Sequence, residues 1–166
     1  MSQSKEFSST RIEKLMHRPA VTCHVNDSLA NAARLLWEQD CGALPVVDER
    51  GRVVAMITDR DICMAAYTQG LPLQSIQVRS AMSHSLYSCR PSDPVVEAEK
   101  QMGENQVRHL PVLDEQGQVL GILSLNDLTR EAGRSAGGRA QDAGNSLVKT
   151  LMEVGSPHHD RGDGKT

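Results

Sequence analysis

The chain has 166 residues, enough for one ordinary domain, and 39% of them are hydrophobic, which is typical of a globular protein. Its 18 basic residues do not outnumber the 21 acidic ones, which excludes the basic surface typical of nucleic-acid-binding domains. No apolar run is long enough to span a membrane, and residues 1–7 are too polar for a secretory signal, so we expect a cytoplasmic protein with no membrane or nucleic-acid partner.

The first predicted elements follow a short helical stretch that ends at Leu15-Met16. Residues 26–28 (Asn, Asp, Ser) can cap a helix that runs to about Gln39 and repeats its apolar residues on one face. Two β-branched runs around a turn with Asp and Gly then predict a hairpin, and Gly70 ends the helix that follows. The predicted strand, turn, strand and helix are Leu44–Val47, Asp48–Gly51, Val53–Ile57 and Arg60–Thr68.

The second half of the chain repeats the first without a gap. Residues 82–129 align with residues 16–63 at a constant shift of 66 positions, as from Cys23 to Cys89 and from Asp61 to Asp127. A repeat this long is one supersecondary unit used twice. One copy alone buries little surface, so we expect the two copies to be halves of one core around a pseudo-twofold axis. The predicted fold class is α+β, with strand, helix, strand, strand and helix in each copy.

In the second half the same order predicts a helix after Asp93-Pro94 that runs to about Asn105, then a hairpin and a final helix. The strand, turn, strand and helix are Leu110–Leu113, Asp114–Gly117, Val119–Leu123 and Leu125–Ala132. The first helix of this half is more polar than its counterpart, since Glu99 stands where the first half has Ala33. We therefore expect its face to be less deeply buried.

These patterns divide the chain into a tail (1–11), a first repeat (12–70), a linker (71–81), a second repeat (82–132) and a flexible tail (133–166). The flexible character of the last segment is predicted from four glycines, Gly133, Gly137, Gly138 and Gly144. Apolar residues from Leu147 to Met152 predict a short helix at 146–153 that packs on its own domain or docks on a partner. We interpret His158-His159 and Arg161-Gly162-Asp163 as solvated tail.

One motif stands at the same place in both halves, after the second strand of each hairpin. It consists of Thr or Ser, two variable residues and Asp, as in Thr58 to Asp61 and Ser124 to Asp127. A hydroxyl beside a helix N-terminus suits a phosphate, because free backbone N–H groups point there, and the carboxylate can accept the hydroxyls of a ribose. The alternative is a helix cap, in which the carboxylate serves only the first backbone N–H groups. Recurrence in register favours the ligand.

The run Gly42–Asp48 (GALPVVD), followed by a glycine turn, a strand and Thr-x-x-Asp, resembles the CBS domain. Two copies resemble the tandem CBS pair, or Bateman module, over about Ile12 to Glu131. The resemblance implies a regulatory protein without catalysis, whose two clefts between the repeats bind an adenosyl ligand such as AMP, ADP, ATP or S-adenosylmethionine. It also implies a homodimer that signals to an unidentified protein partner through a change in shape or stability.

The resemblance also implies which residues form each cleft. In one cleft, Ser124 and Asp127 would hold the ribose and phosphate. The side chains of Arg108 and His109 would face the phosphates there. The adenine of that cleft would meet main chain of the other repeat, at Val21, Thr22, Gly42 and Ala43.

In the second cleft, Thr58 and Asp61 would take the equivalent roles, with Arg60 as a compensating charge. The main chain for its adenine would lie at Leu86, Tyr87, Val107 and Arg108. Because the first repeat has no counterpart of the Arg108-His109 pair, we expect the cleft of Ser124 and Asp127 to bind a phosphorylated ligand more tightly.

Two alternatives from other classes stay open. One is a structural or interaction dimer whose clefts bind no ligand. The other is a redox sensor based on thiols or zinc, since Cys23 and Cys89 are equivalent and His24 adjoins the first. We prefer free thiols, because a strand cysteine commonly packs as a small apolar residue. We predict no enzyme and no cofactor, since the sequence has no catalytic triad signature, no glycine-rich Lys loop and no paired carboxylates placed for acid–base chemistry.

Overall fold

The computed structural model describes residues 9–135 and 141–155 of the chain. The first half contains β1 (Cys23–His24), α1 (Leu29–Glu38), β2 (Ala43–Val47), β3 (Val53–Thr58) and α2 (Asp59–Gln69). Ser28 caps α1, because its Oγ accepts a hydrogen bond from the Asn31 N–H at 3.2 Å. Gly70 ends α2 with a left-handed φ of 62°, which glycine adopts without strain. The predicted hairpin and helix ends agree with these bounds to within one residue.

The second half contains α3 (Val95–Asn105), β4 (His109–Leu113), β5 (Val119–Ser124) and α4 (Leu125–Ser135), close to the predicted ranges. Its counterpart of β1 is a single parallel bridge between Cys89 and Val112, whereas β1 pairs with β2 along both of its residues. The first half therefore has a three-stranded sheet in the order β1-β2-β3, and the second a two-stranded sheet of β4 and β5. This arrangement confirms the α+β class.

The two hairpins place the hydroxyl motifs identically. Strands β2 and β3 are antiparallel with Ala43 opposite Thr58, and β4 and β5 are antiparallel with His109 opposite Ser124. Each motif therefore stands at the open end of its hairpin, across from the first residue of the preceding strand. The next helix begins there without a connecting loop.

The segment ahead of each half, residues 10–17 and 76–83, is here called its lead-in, and each lead-in crosses to the other half. Ile12 lies in the buried cluster around α3, and Val78 in the cluster around α1. The main-chain N–H of Ile12 donates to the Asp93 carbonyl at 3.0 Å. At the equivalent place, that of Val78 donates to the Asp27 carbonyl at 2.8 Å. The core that we expected to be shared is thus two clusters, each completed by the other half's lead-in.

The first lead-in passes so close to β5 that residue 121 has no room for a side chain. His17 and Ile122 exchange main-chain hydrogen bonds at 2.9 and 3.1 Å. A Cβ on Gly121 would lie 2.7 Å from the His17 carbonyl oxygen and 2.9 Å from Met16 Sδ. The glycine therefore permits the crossing.

A further helix, α5 (Gln141–Gly155), packs across α3 and α4. It buries Leu147, Thr150 and Val154, and its Glu153 side chain fills the space in which Gly103 would carry a Cβ. Glu99 is 3% exposed in the face of α3 that we expected to be less deeply buried. That expectation is wrong, because α5 covers α3. The helix predicted at 146–153 thus packs on its own domain, although its apolar residues did not indicate which helix it would cover.

The segment after residue 132 also differs from the prediction. Gly133 lies in α4 and Gly144 in α5, so these two glycines do not mark a loop, and the helix predicted at 146–153 extends over Gln141–Gly155. Gly137, Gly138, residues 1–8 and residues 156–166, with His158-His159 and Arg161-Gly162-Asp163, lie outside the described residues. In the part of the chain that the structure describes, no helix has both the length and the apolar character needed to cross a bilayer.

Candidate functional site

Both hydroxyl motifs form capping boxes at the starts of α2 and α4. The Thr58 N–H and Oγ donate to Asp61 Oδ2 at 2.9 and 2.7 Å. The Ser124 N–H and Oγ donate to Asp127 Oδ2 at 2.8 and 2.6 Å. In return, the N–H of each Asp donates to the hydroxyl oxygen. The cap interpretation is therefore correct for both motifs, but the cap uses one oxygen of each carboxylate and leaves Oδ1 for other contacts.

The two Oδ1 atoms are in different situations. Asp127 Oδ1 lies 2.7 Å from His17 Nε2, and the aspartate is 7% exposed. Asp61 is half-buried, and its Oδ1 makes no hydrogen bond within the described part of the chain. Oδ1 of Asp127 is thus occupied by the imidazole of His17 from the first lead-in, whereas Oδ1 of Asp61 is available to a ligand.

The difference arises at one pair of equivalent positions, 17 and 83. Where the first lead-in has His17, the second has Ser83, whose Oγ accepts a hydrogen bond from the Met56 N–H at 3.0 Å and donates to the Ser85 carbonyl at 3.0 Å. The Ser83 side chain is shorter than a histidine, and its hydroxyl is already hydrogen-bonded to Met56 and Ser85, so it does not occupy the Asp61 carboxylate. The sequence did not identify His17 as a site residue, because the crossing of the lead-ins was not foreseen.

His109 and Gly42 meet where the two halves adjoin. A Cβ on Gly42 would lie 3.5 Å from His109 Cε1, so the imidazole covers the glycine. Burial lowers the pKa of His109 from its ordinary 6.5. The negative charges of Asp127 and Asp59 raise this pKa, and the positive charge of Arg108 lowers it further. His109 is therefore neutral at pH 7 and can offer a hydrogen bond but no positive charge. Asp59, a neighbour that the sequence did not single out, adds negative charge here.

Arg108 and Arg60 supply the remaining side-chain charge. Both are exposed. The Arg108 carbonyl accepts a hydrogen bond from the Leu125 N–H at 2.9 Å, which ties it to the start of α4. The Arg60 N–H donates to Asp59 Oδ1 at 2.7 Å in the first turn of α2. Each arginine thus lies beside one of the two capping boxes, and Arg108 can reach a ligand without disturbing the buried core.

The main-chain positions expected to hold adenine lie at the starts of the strands. Val21 and Thr22 directly precede β1, and Ala43 begins β2 opposite Thr58. Leu86 and Tyr87 precede the Cys89 bridge, and Val107 packs against the second core cluster. Contacts between the halves join Gly42 with His109 and His17 with Asp127. Which cleft each main-chain segment serves stays a prediction.

The geometry of the cysteines bears on the thiol and zinc alternative. None of the four cysteines is paired with another. Burial raises the pKa of both Cys23 and Cys89 to about 12, so neither is a thiolate at neutral pH. Among the side chains that the structure describes, no group of three or more His, Cys, Asp or Glu residues is placed to hold a metal ion. Cys23 and Cys89 are thus packed as small apolar residues of the two core clusters.

Comparison with known proteins points to one family. The family model of the CBS domain matches residues 12–67 and again residues 78–134. The chain is 35% identical over 117 residues to the CBS domain-containing protein YhcV of Bacillus subtilis (strain 168), a match that covers 70% of this chain and 81% of YhcV. It is 28% identical over 121 residues to L-aspartate semialdehyde sulfurtransferase of Methanocaldococcus jannaschii, but spans only 23% of that enzyme.

Solved structures give the same result. The CBS domain pair of protein MJ0100, in complex with 5′-methylthioadenosine and S-adenosyl-L-methionine, has a TM-score of 0.69 and 27% identity, covering 75% of this chain and 97% of that one. Hypoxic Response Protein I with two coordinated zinc ions has a TM-score of 0.67 and 28% identity, covering 73% and 98%. With both halves matched by the family model and by these folds, the chain belongs to the CBS domain family and carries two tandem CBS domains.

Proposed function

We propose that the chain is a non-catalytic sensor that binds an adenosyl ligand in the clefts between its two halves. The observation that carries the proposal is the duplicated capping box, which holds one carboxylate oxygen at a helix N-terminus and leaves the other outside the cap. A ribose hydroxyl can donate to that second oxygen. The bound 5′-methylthioadenosine and S-adenosyl-L-methionine of the similar CBS pair support the same class of ligand.

The charge around the second capping box favours a ligand with few phosphates. Arg108 is the positive group near Ser124, and the N-terminus of α4 adds the partial positive charge of a helix dipole. Asp59 and Asp127 lie close enough to influence His109 and would repel a long polyphosphate. Within the adenosyl class we therefore expect AMP or S-adenosylmethionine to bind better than ATP.

The same contacts suggest how binding is signalled. A ribose that takes Asp127 Oδ1 must displace His17 Nε2 or share the carboxylate with it. The main chain of His17 is hydrogen-bonded to β5, and the lead-in that carries it completes the core of the second half. Ligand binding would thus change the contact between the first lead-in and the second half, and a partner protein can sense that change. We also propose that the module self-associates as a homodimer in the cytoplasm.

A thermal-shift panel tests the ligand. A ligand at about 100 times its Kd stabilises a protein by about 2.7 kcal/mol, which for a chain of this size is a rise in Tm of about 5–10 °C. We expect at least one of AMP, ADP, ATP, S-adenosylmethionine and 5′-methylthioadenosine to produce it. The double variant Asp61→Ala with Asp127→Ala is the matched control and should show no shift.

A second measurement tests the part played by phosphate. Arg108→Ala should weaken AMP by about ten- to a hundredfold, because a hydrogen bond to a charged group contributes about 1.5–3 kcal/mol. Adenosine, which has no phosphate, should lose much less. A flat panel with folded protein would favour the structural dimer without ligand instead.

A further inference from the structure

The imidazole of His17 is the donor in its contact with Asp127. Oδ2 of Asp127 accepts hydrogen bonds from the Ser124 N–H and Oγ, so this carboxylate acts as an acceptor. Its Oδ1 lies 2.7 Å from His17 Nε2, which therefore carries a hydrogen. The Asp127 side chain is 6% exposed, whereas that of His17 is 62% exposed. The contact thus joins a buried acceptor to a donor that water can reach.

The second ring nitrogen of His17, Nδ1, is the atom that can take up a further proton. It makes no hydrogen bond to any residue that the structure describes, and the exposure of the side chain leaves it to solvent. Histidine is the side chain whose ordinary pKa puts its change of charge between about pH 5 and about pH 8. A proton on Nδ1 would turn the neutral contact into a charge-assisted hydrogen bond, which is about twice as strong, while Nε2 stays on Oδ1.

The other ionisable groups around the contact differ from His17 in burial or in chemical type. Strand β5, to which the His17 main chain is hydrogen-bonded, has no ionisable side chain. On β4, His109 is held neutral by burial. The remaining charges nearby belong to amino, guanidinium and carboxylate groups, which ordinarily do not titrate between about pH 5.5 and about pH 8. They are Lys14 and Arg18 on the segment of His17, Arg130 one turn beyond Asp127 on α4, and Arg108 and Asp59, whose charges act on His109.

We propose that the contact of His17 with Asp127, here called the His17 latch, regulates the cleft of Ser124 and Asp127, and that acid strengthens it and a bound ligand opens it. The inference rests on the proposed function, because the ligand is the adenosyl compound whose ribose needs Asp127 Oδ1. Protonation of His17 favours the latched state, so affinity should be lowest in acid and should rise as the imidazole loses its charge. By reciprocal linkage, ligand binding should release part of the proton held by His17.

The second cleft shows what the latch adds. At the position equivalent to His17 it has Ser83, whose hydroxyl does not titrate in this range and is hydrogen-bonded to Met56 and Ser85. The affinity of the cleft of Thr58 and Asp61 should therefore not follow the charge of a histidine at this position. One chain would then carry one cleft that responds to ligand alone and one that responds to ligand and acidity together.

Calorimetry with 5′-methylthioadenosine tests the latch, because this probe has no phosphate whose own titration would complicate the result. Asp61→Ala removes the other cleft and serves as the parent protein. From about pH 8 to about pH 6 the affinity of the parent should fall by about three- to tenfold, as expected when a neutral hydrogen bond becomes charge-assisted. His17→Gln in this parent should change little over the same range, because an amide N–H can donate to Oδ1 but cannot take up a proton.

Two controls isolate the imidazole of His17. His84→Ala in the same parent removes an exposed histidine just beyond the second lead-in and should keep the pH profile of the parent. Titrations in two buffers with different heats of ionisation count the protons released on binding, and the parent should release more than His17→Gln. His109 is present in every protein compared, so its titration cancels. Equal pH profiles for the parent and His17→Gln would overturn the proposal.

A measurement without ligand decides the latch even if no adenosyl compound binds. The latch joins the first lead-in to the second half, so protonation of His17 should stabilise the folded chain. Urea denaturation should show the unaltered protein gaining stability over His17→Gln as pH falls from about 8 to about 6, because the folded chain then holds the proton more tightly than the unfolded one. A difference that stays constant with pH would contradict the latch and leave the proposed function standing. A flat thermal-shift panel beside a pH-dependent difference would do the reverse.

Discussion

His17 Nε2 lies 2.7 Å from Asp127 Oδ1, so a side chain from the segment ahead of the first half closes a carboxylate in the second half. The equivalent carboxylate, Asp61, has no such partner among the described residues, because Ser83 stands in place of the histidine. The two clefts therefore differ in a feature beyond the Arg108-His109 pair. The imidazole is 62% exposed, so it can leave the carboxylate without disturbing the core.

Replacing His17 with alanine should tighten ligand binding at the cleft of Ser124 and Asp127. The ligand then no longer competes with the imidazole for Oδ1, and a hydrogen bond contributes about 0.5–1.5 kcal/mol net, so we expect a gain of up to about tenfold. Calorimetry with AMP measures it. His84→Ala, an exposed histidine just beyond the second lead-in, is the control and should leave affinity unchanged. Weaker binding by the His17 variant would mean that the imidazole holds the ligand instead.

Asp127→Ala should remove the tighter site, and Asp61→Ala should leave most of it. Arg108 contributes about 1.5–3 kcal/mol to a phosphorylated ligand, which exceeds the cost of displacing His17. Both variants lose a helix cap, which costs about 1 kcal/mol of stability each. Asp127→Ala also loses the contact with His17, so it should be the less stable of the two, and both are compared as folded proteins. Titration calorimetry with AMP distinguishes them. Greater damage from Asp61→Ala would reverse the assignment of the clefts.

Gly121→Ala should destabilise the fold, although it adds only one methyl group. The new Cβ would meet the His17 carbonyl oxygen and Met16 Sδ, so the first lead-in must shift. Overpacking of this kind costs about 1–3 kcal/mol, which urea denaturation can measure. Gly133→Ala is the matched control, because a Cβ there meets nothing within 4 Å and lies in a helix. It should be neutral or stabilising by up to about 1 kcal/mol. Equal effects of the two changes would argue against the close crossing.

Stability should fall with acid through His109. Burial holds the pKa of His109 below its ordinary 6.5, so the unfolded chain takes up the proton at a higher pH than the folded chain. Stability is therefore lost as pH falls from the ordinary value toward the lowered one. His109→Gln removes this titrating group and should show a shallower loss of stability in urea denaturation as pH falls below the ordinary pKa of 6.5. Identical pH profiles for the two proteins would contradict the prediction.

Local signals in the sequence located most of the helices and strands. The repeat placed both hairpins, since Asp and Gly at each turn and β-branched residues on either side act over a few residues. The motif from Ser124 to Asp127 was also found, because a cap depends on residues three apart. Only one of the two contacts of the Asp127 carboxylate could be predicted from the motif. The second partner of Asp127 is His17, which lies 110 positions away in sequence, and no local pattern contains that contact.

The prediction for the burial of α3 was wrong because that burial also depends on a contact between distant parts of the sequence. Glu99 is polar, and a helix with a polar face is expected to meet solvent. Its cover is α5, from beyond the second repeat. The apolar residues from Leu147 to Met152 predicted that helix but not the surface that it covers, and the further trace is Gly103, which stands where the first half has Trp37. The role of that glycine becomes evident only when the first half is compared with the second.

The crossed lead-ins decide what a shortened chain would lose. The Val95 N–H donates to the Thr10 carbonyl at 2.9 Å, so the two ends of this contact are 85 residues apart. Trimming the chain to begin at Ala20 would leave the adjacent half with every part of its own core and strip the distant half of Ile12 and Met16. During synthesis the first half likewise has to wait for Val78 to leave the ribosome before its core can close. Residues 20–83 contain the whole cluster of the first half, whereas the cluster of the second half needs Ile12 and Met16 from the far end of the chain, so only the first half could be cut out as one contiguous piece.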